Sequence, residues 1–470
     1  FTGTQPITLS GFSGITTGAS NDYIMHVPST ATGDGVTVAS PFLTAGASFT
    51  KSGAGTLTLT ATGSLYNGRT VINQGALQIN SLNKLGNSGA GGIMLNGGTL
   101  RFSAAFDVSA TTVTLGVPAT GTVETTAGGT FDTGTFDVTL ANSIGNGGNG
   151  GLTKTGTGTL TLNAGASYLG STTISAGTLA YGTNNALPTS SNLVLGAATL
   201  AMGTNAGILN GLTLTGNGSI TGSANLKFNG DVINSGGSRV LTISNSATTT
   251  FDGPYVQLSE SATARTLTLA VTAGSTVVNS IVTDGPGAAS NLTKTGAGAL
   301  ALNASNVYTG ATTIDQGTVT LGANQGLYAS TNTLVFGSAN TVTTTGTLNL
   351  STFDATFGGA LTVQTNSATA NVITVGTGKT LTINNNVSLA NNTNNAVSAL
   401  TINGGGALVV NGTSFTVGAT APSATRALAT APLASSVRCT AASWFWVSKP
   451  GCASVRFSPV KMTCFFTITA

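Results

Sequence analysis

One histidine, three cysteines and twelve carboxylates are all that 470 residues offer for acid–base, nucleophilic or metal chemistry. Any Ser-His-Asp or Cys-His mechanism has to run through His26, and no Gly-X-Ser-X-Gly elbow is present to expose a nucleophile. His26 stands between Met25 and Val27 in a proline-flanked segment, where a structural or solvent-facing role is expected. The acids closest in sequence are Asp132 and Asp137, within Phe131-Asp132-Thr133-Gly134-Thr135-Phe136-Asp137. Paired carboxylates serve glycoside hydrolysis or, with a bound cation, polysaccharide cleavage. An odd separation assigns these two to opposite faces of a continuous strand, so solvated turn residues are the expected reading.

The glycine-rich signals fail on context. Gly145-Asn146-Gly147-Gly148-Asn149-Gly150 contains Gly-X-Gly-X-X-Gly, but a dinucleotide fingerprint must open a helix and Leu152 opens a strand instead. Gly378-Lys379-Thr380 ends like a phosphate loop, yet the first glycine of that loop would fall at Ile373. Nonapeptide Ca²⁺ repeats need a regularly placed Asp after their glycines, and the Gly-Asn run has none. No catalytic, cofactor-binding or metal-ligating residue is therefore assigned, and no cofactor is expected.

What does recur is a structural unit. Lys51, Lys154 and Lys294 each open a Gly-X-Gly turn, made by Gly53 and Gly55, Gly156 and Gly158, and Gly296 and Gly298. An alternating strand follows, then Tyr66, Tyr168 or Tyr308, then a closing Gly75, Gly177 or Gly317, nine residues after the tyrosine each time. Fixed spacing of this kind marks stacked units, and these motif residues are expected to be structural. Each lysine is expected to lay its aliphatic stem along the surface and keep its ammonium in water.

The segment Leu152-Thr153-Lys154-Thr155-Gly156-Thr157-Gly158-Thr159-Leu160-Thr161-Leu162, with Tyr168, Gly170, Thr172-Thr173-Ile174 and Ala176-Gly177-Thr178-Leu179, has counterparts in the other two copies. It resembles the autotransporter-associated β-strand repeat, also called the passenger-associated transport repeat, of bacterial surface proteins. The resemblance implies a right-handed parallel β-helix on the bacterial cell surface or outside the cell. That motif is structural and hands over no catalytic residue.

Composition agrees with an all-β solenoid. Charged residues make up 6% of the chain, against roughly 25% in ordinary soluble domains. Disorder is excluded because Leu, Val and Ile alternate with Thr throughout and net charge is only +3. In units such as Thr56-Leu57-Thr58-Leu59 and Leu212-Thr213-Leu214, alternation sends Leu to the interior and Thr outward. β-Branched Thr suits a pleated exposed face and replaces the usual charges there. Asn clusters, Asn384-Asn385-Asn386 and Asn391-Asn392, tolerate corner angles and can hydrogen-bond as ladders. No apolar run approaches the ~18 residues of a membrane helix. No basic-then-apolar leader follows Phe1, so any secretion signal is expected to have been removed or to lie outside these residues.

The expected layout is a single elongated rod with terminal caps. Residues 1–45, with Pro6, Pro28 and Pro41, form an N-terminal cap over open strand edges, and residues 46–418 form the repeat region. Residues 419–470 form a basic tail with five Lys or Arg, no acid, both tryptophans and all three cysteines, Cys439, Cys452 and Cys464. An odd cysteine count leaves a thiol unpaired or pairing with another chain. A capping or docking segment, a cloning scar and an altered reading frame all fit this tail. Trp444-Phe445-Trp446 is read as interface or cap before nucleic-acid or membrane contact.

The first functional expectation is an extracellular structural β-solenoid, a rigid spacer or fibre subunit whose partners are copies of itself, end to end or lateral. Weak charge gives little repulsion against such packing. The alternative is an adhesin passenger that binds a surface glycan or host receptor through an irregular insertion at 251–290, with Asp252, Pro254, Tyr255 and Glu260. A polysaccharide-degrading enzyme is the third reading and requires Asp132, Asp137, Asp252 and Glu260 to converge. Neither a nucleic-acid partner nor an integral membrane segment is expected.

Overall fold

The computed structural model describes residues 7–417 except 19–21, 29–34, 90, 109–110, 117–126, 146–149, 327–330, 340–341, 365–366, 368 and 390–399, with short strands at 437–439, 455–456 and 464–467. Most of the Gly-Asn run, Asn391-Asn392, Trp444-Phe445-Trp446 and Cys452 lie outside the described residues. So do the side chains of Cys439 and Cys464, and with them the disulfide state of the tail.

Backbone contacts group the chain into two units, Phe1–Lys227 and Phe228–Ala470. Each is a parallel β-solenoid. In the first unit, Gly35–Val38, Thr56–Leu59, Ala76–Ile79, Thr99–Phe102 and Gly129–Asp132 stack side by side. The stack continues through Leu152–Thr155, Thr172–Ile174, Leu193–Leu195 and Leu212–Leu214. The registers align Val36, Leu57, Leu77, Leu100, Phe131, Lys154, Ile174, Leu195 and Leu214 in one internal row. The row follows from the sequence alternation, since every second side chain of a strand faces the same way. Each buried Leu in it contributes about 1.5–3 kcal/mol relative to exposure.

The second unit repeats the plan. Arg239–Asn245, Thr266–Val271, Asn291–Thr295, Thr312–Ile314, Leu334–Phe336, Leu361–Val363 and Val387–Leu389 form one face. Thr248–Phe251, Ser275–Val278, Ala299–Leu302, Gly317–Leu321, Gly346–Leu350, Asn371–Val375 and Leu400–Asn403 form another. Leu57, Leu160 and Leu300 are all buried.

Strands in the N-terminal segment pair in parallel with strands of the first unit. Ile7–Leu9 lies parallel to Gly35–Val38, and Tyr23–His26 lies parallel to Phe49–Ser52. Among the described residues, the antiparallel pairings are those of the tail. There Cys464–Thr467 runs against Ala407–Val410, Val455–Arg456 against Ser414–Val417, and Val437–Cys439 against Cys464–Thr467. The only described helices are two short 3-10 turns, Leu82–Lys84 and Gly86–Gly89. No helix among the described residues is long and apolar enough to cross a membrane.

Candidate functional site

The three repeat lysines point inward. Leu152 and Lys154 are two residues apart on one strand and share a face, so a buried Leu152 carries Lys154 into the core with it. Lys154 occupies the internal row between Phe131 and Ile174 and is 0% exposed. Its ammonium donates to the carbonyls of Thr155 at 2.8 Å, Gly156 at 2.9 Å and Ala176 at 3.3 Å. Lys51 donates to Ser52 at 2.8 Å, Gly53 at 2.6 Å and Gln74 at 3.0 Å. Lys294 donates to Thr295 at 2.6 Å, Gly296 at 2.6 Å and Gln316 at 3.1 Å. An ammonium carries three donors and no acceptor, and each cage supplies three acceptors.

This corrects the expectation of a surface ammonium. The apolar stem fits the internal row, and the glycine turn aims carbonyl oxygens inward to replace the water that a buried cation loses. Two of the carbonyls belong to the lysine's own turn and the third to the next turn. Each lysine therefore staples successive turns together. Burial lowers all three ammonium groups to about 8, and at Lys154 the nearby Asp132 and Asp137 carboxylates oppose that pull.

The motif glycines build the cage. Gly156 has φ +77°, a left-handed angle that other residues adopt at a cost, and its carbonyl is a cage acceptor. Gly177 follows the third acceptor, Ala176, and also has a positive φ, +67°. A Cβ on Gly177 would stand 2.4 Å from the Gly156 carbonyl oxygen and 2.6 Å from that of Gly158. Gly75 meets Gly53 and Gly55, and Gly317 meets Gly296 and Gly298, in the same way. The closing glycine is thus the place where the next turn presses directly onto the cage.

The motif tyrosines fix the opposite corner. Tyr66, Tyr168 and Tyr308 are buried, and their hydroxyls pair with Thr70 at 3.0 Å, Thr172 at 2.6 Å and Thr312. The Thr172 hydroxyl also meets Ser191 Oγ at 2.9 Å, and Ser191 donates to the Gly170 carbonyl at 3.0 Å. Burial pushes the Tyr308 phenol up to about 12 and raises Tyr66 and Tyr168 as well.

The acids act across turns. Backbone N–H groups of a following turn donate to Asp22 from Ser48, to Asp137 from Thr159, to Asp231 from Tyr255, to Asp284 from Thr309 and to Asp354 from Thr380, at 2.6–3.0 Å. The bond from the Thr159 N–H is the main reason that the Asp137 carboxyl is held below its ordinary range. Asp132 takes Arg101 Nε at 2.8 Å and its own turn's Gly134 N–H at 3.0 Å. Asp252 accepts from Asn279 at 2.7 Å, and Asn279 in turn accepts from Asn303 at 2.8 Å, a three-turn ladder. Asn411 donates to Asn384 at 2.8 Å, so one of the expected Asn clusters does form a ladder. Glu260 takes the Gly236 N–H at 3.0 Å and pairs with Arg265.

The other candidates fall into local roles. His26 is exposed, with Nδ1 3.1 Å from Ser52 Oγ. Gly378 and Lys379 make a tight turn in which the Lys379 N–H donates to the Gly376 carbonyl at 2.9 Å. The stretch 251–290 is not an irregular insertion. Tyr255–Gln257, Thr266–Val271, Ser275–Val278 and Ile281–Thr283 each pair in parallel with neighbouring turns, because the apolar alternation continues through it. Among the described residues, no group of three or more His, Cys, Asp or Glu is placed to hold a metal ion.

Fold and site together define a parallel β-solenoid whose repeating element is a lysine caged by its own and the following turn. Residues 49–79, 152–180 and 292–321 match the passenger-associated-transport-repeat family, so the chain carries three copies of the repeat found in secreted or surface autotransporter passengers. Comparison with curated proteins and with solved structures gave no significant match.

Proposed function

We propose that this chain is an extracellular structural segment of an autotransporter passenger, serving as a rigid spacer or a self-associating fibre subunit at the bacterial surface. The caged lysines carry this reading. In each of the three repeats a buried charge has all its donors used, two on its own turn and one on the next, which commits those residues to stiffness and leaves them nothing for a ligand. The acids support it, since most of those described are occupied in holding adjacent turns. Outward faces of Thr, Ser and Asn carry little charge to oppose packing with a second copy.

Negative-stain imaging of the purified chain over a concentration series tests the proposal. Stiff particles that associate as concentration rises are expected. Isolated particles at the highest concentration would remove the fibre, and flexible or collapsed particles would remove the spacer.

A further inference from the structure

The outward face of the second unit carries a groove. The groove, of about 450 Å³, opens over Thr266–Val271, Asn291–Thr295, Thr312–Ile314 and Leu334–Phe336, a volume within the range of small-ligand sites. Thr268, Thr293 and Thr313 stand in register along its floor, with about 4.8 Å between successive strands. Thr293 and Thr313 face outward, yet are only 9% and 8% exposed because the groove walls rise around them. Thr293 and Thr313 both line the groove.

Both ends of the floor are fixed. At one end Asn291 accepts the Ala311 N–H at 2.7 Å and its amide reaches Thr266 Oγ1 at 3.3 Å. At the other, Asp315 accepts from Ser338 through the backbone N–H at 2.6 Å and through Oγ at 2.8 Å. The lining holds no Lys, Arg or His and a single carboxylate, so it repels anions. It holds no aromatic side chain, and its apolar surface comes from Ala311, Val335 and the threonine methyl groups. Its polar groups are chiefly threonine hydroxyls, in register on three successive turns, with the Asn291 and Gln364 amides beside them. Each threonine hydroxyl donates one hydrogen bond and accepts two, which matches the neighbouring hydroxyls of a pyranose ring.

We propose that this groove binds a neutral oligosaccharide, laid across successive turns with its ring hydroxyls on Thr268, Thr293 and Thr313. The site goes beyond the spacer reading and holds whether or not the chain self-associates. The test is calorimetric titration of the full chain with cello-, manno- and xylo-oligosaccharides, and with a heparin-derived oligosaccharide as the sulfated comparison. One neutral series is expected to bind, and the double variant Thr293→Val, Thr313→Val is expected to bind it about tenfold more weakly or worse. Valine keeps the β-branch and shape while removing the hydroxyl, and an unchanged thermal midpoint verifies that the fold persists. Thr268→Val, at a less buried position, serves the same purpose if the double variant unfolds. The proposal is overturned if no neutral oligosaccharide binds, if binding survives these substitutions in folded protein, or if only the sulfated ligand binds.

Discussion

At the residue scale, a buried ammonium with three carbonyl acceptors is not interchangeable with an apolar side chain of similar length. Lys154→Met keeps the stem in its row and leaves the carbonyls of Thr155, Gly156 and Ala176 without their shared donor. Unsatisfied buried acceptors cost about 1–3 kcal/mol each, partly offset by removing a buried charge, so a net loss of about 2–4 kcal/mol is expected in urea unfolding. The same cage sets a pH dependence. The folded ammonium sits at about 8 against an ordinary 10.5, so between those values the unfolded chain holds the additional proton. Raising pH through that window therefore favours the folded state, and below it both states are charged and the term is constant. The stability gap between wild type and Lys154→Met should widen in favour of wild type from pH 7.5 to pH 9.5. A flat gap would contradict the assignment. Measurement stays below about pH 10, where the raised tyrosines act with the opposite sign. Tyr168→Phe removes one hydroxyl but leaves Thr172 paired with Ser191, and a smaller loss of about 0.5–1.5 kcal/mol is expected.

At the scale of the element, two glycines with similar φ separate backbone preference from close approach. Gly378 has φ +72° and nothing within 4 Å of an added Cβ, whereas Gly177 has φ +67° and two carbonyl oxygens within 2.6 Å. Gly378→Ala should cost about 1–2 kcal/mol for the left-handed angle alone. Gly177→Ala should cost distinctly more, with both midpoints read in one denaturation series. This contrast also marks what the sequence made legible. The spacing from Tyr168 to Gly177 identified the closing glycine, and Leu-Thr alternation placed Leu160 and Thr161 on their proper faces. The same parity, applied to Leu152 and Lys154, already puts the lysine inside; the residue's charge argued for water and obscured it. Its acceptors were beyond reach of side-chain identity, because the cage is made of backbone carbonyls oriented by Gly156 and by a turn 22 residues later. The scattered acids were similarly opaque. Asp137 and Asp231 have no partner near in sequence that explains them, yet Thr159 and Tyr255 lie beside them one turn on. The stretch 251–290 misled in the other direction, since Pro254 and Glu260 break the familiar wording while Leu267, Leu269 and Val271 keep the inward row intact.

Across the whole molecule, a stack of turns distributes stability by neighbours. Each turn of a solenoid touches mainly the turns before and after it, so stability is close to a sum of local turns and their interfaces. Lys154 binds its own turn to the one carrying Ala176, and its side chain lies between Phe131 and Ile174. Lys294 does the same within the second unit, through Gln316. Damage to one cage should therefore remain near it. In Lys154→Met, native-state hydrogen exchange is expected to accelerate for amides of Gly129–Asp132, Leu152–Thr155 and Thr172–Ile174, where opening no longer has to break the ammonium bonds. Amides of Asn291–Thr295 and Thr312–Ile314 should keep their wild-type rates. Acceleration in both units together would mean that the chain unfolds as one cooperative body, and the lysines would then act on global stability instead of fastening individual turns.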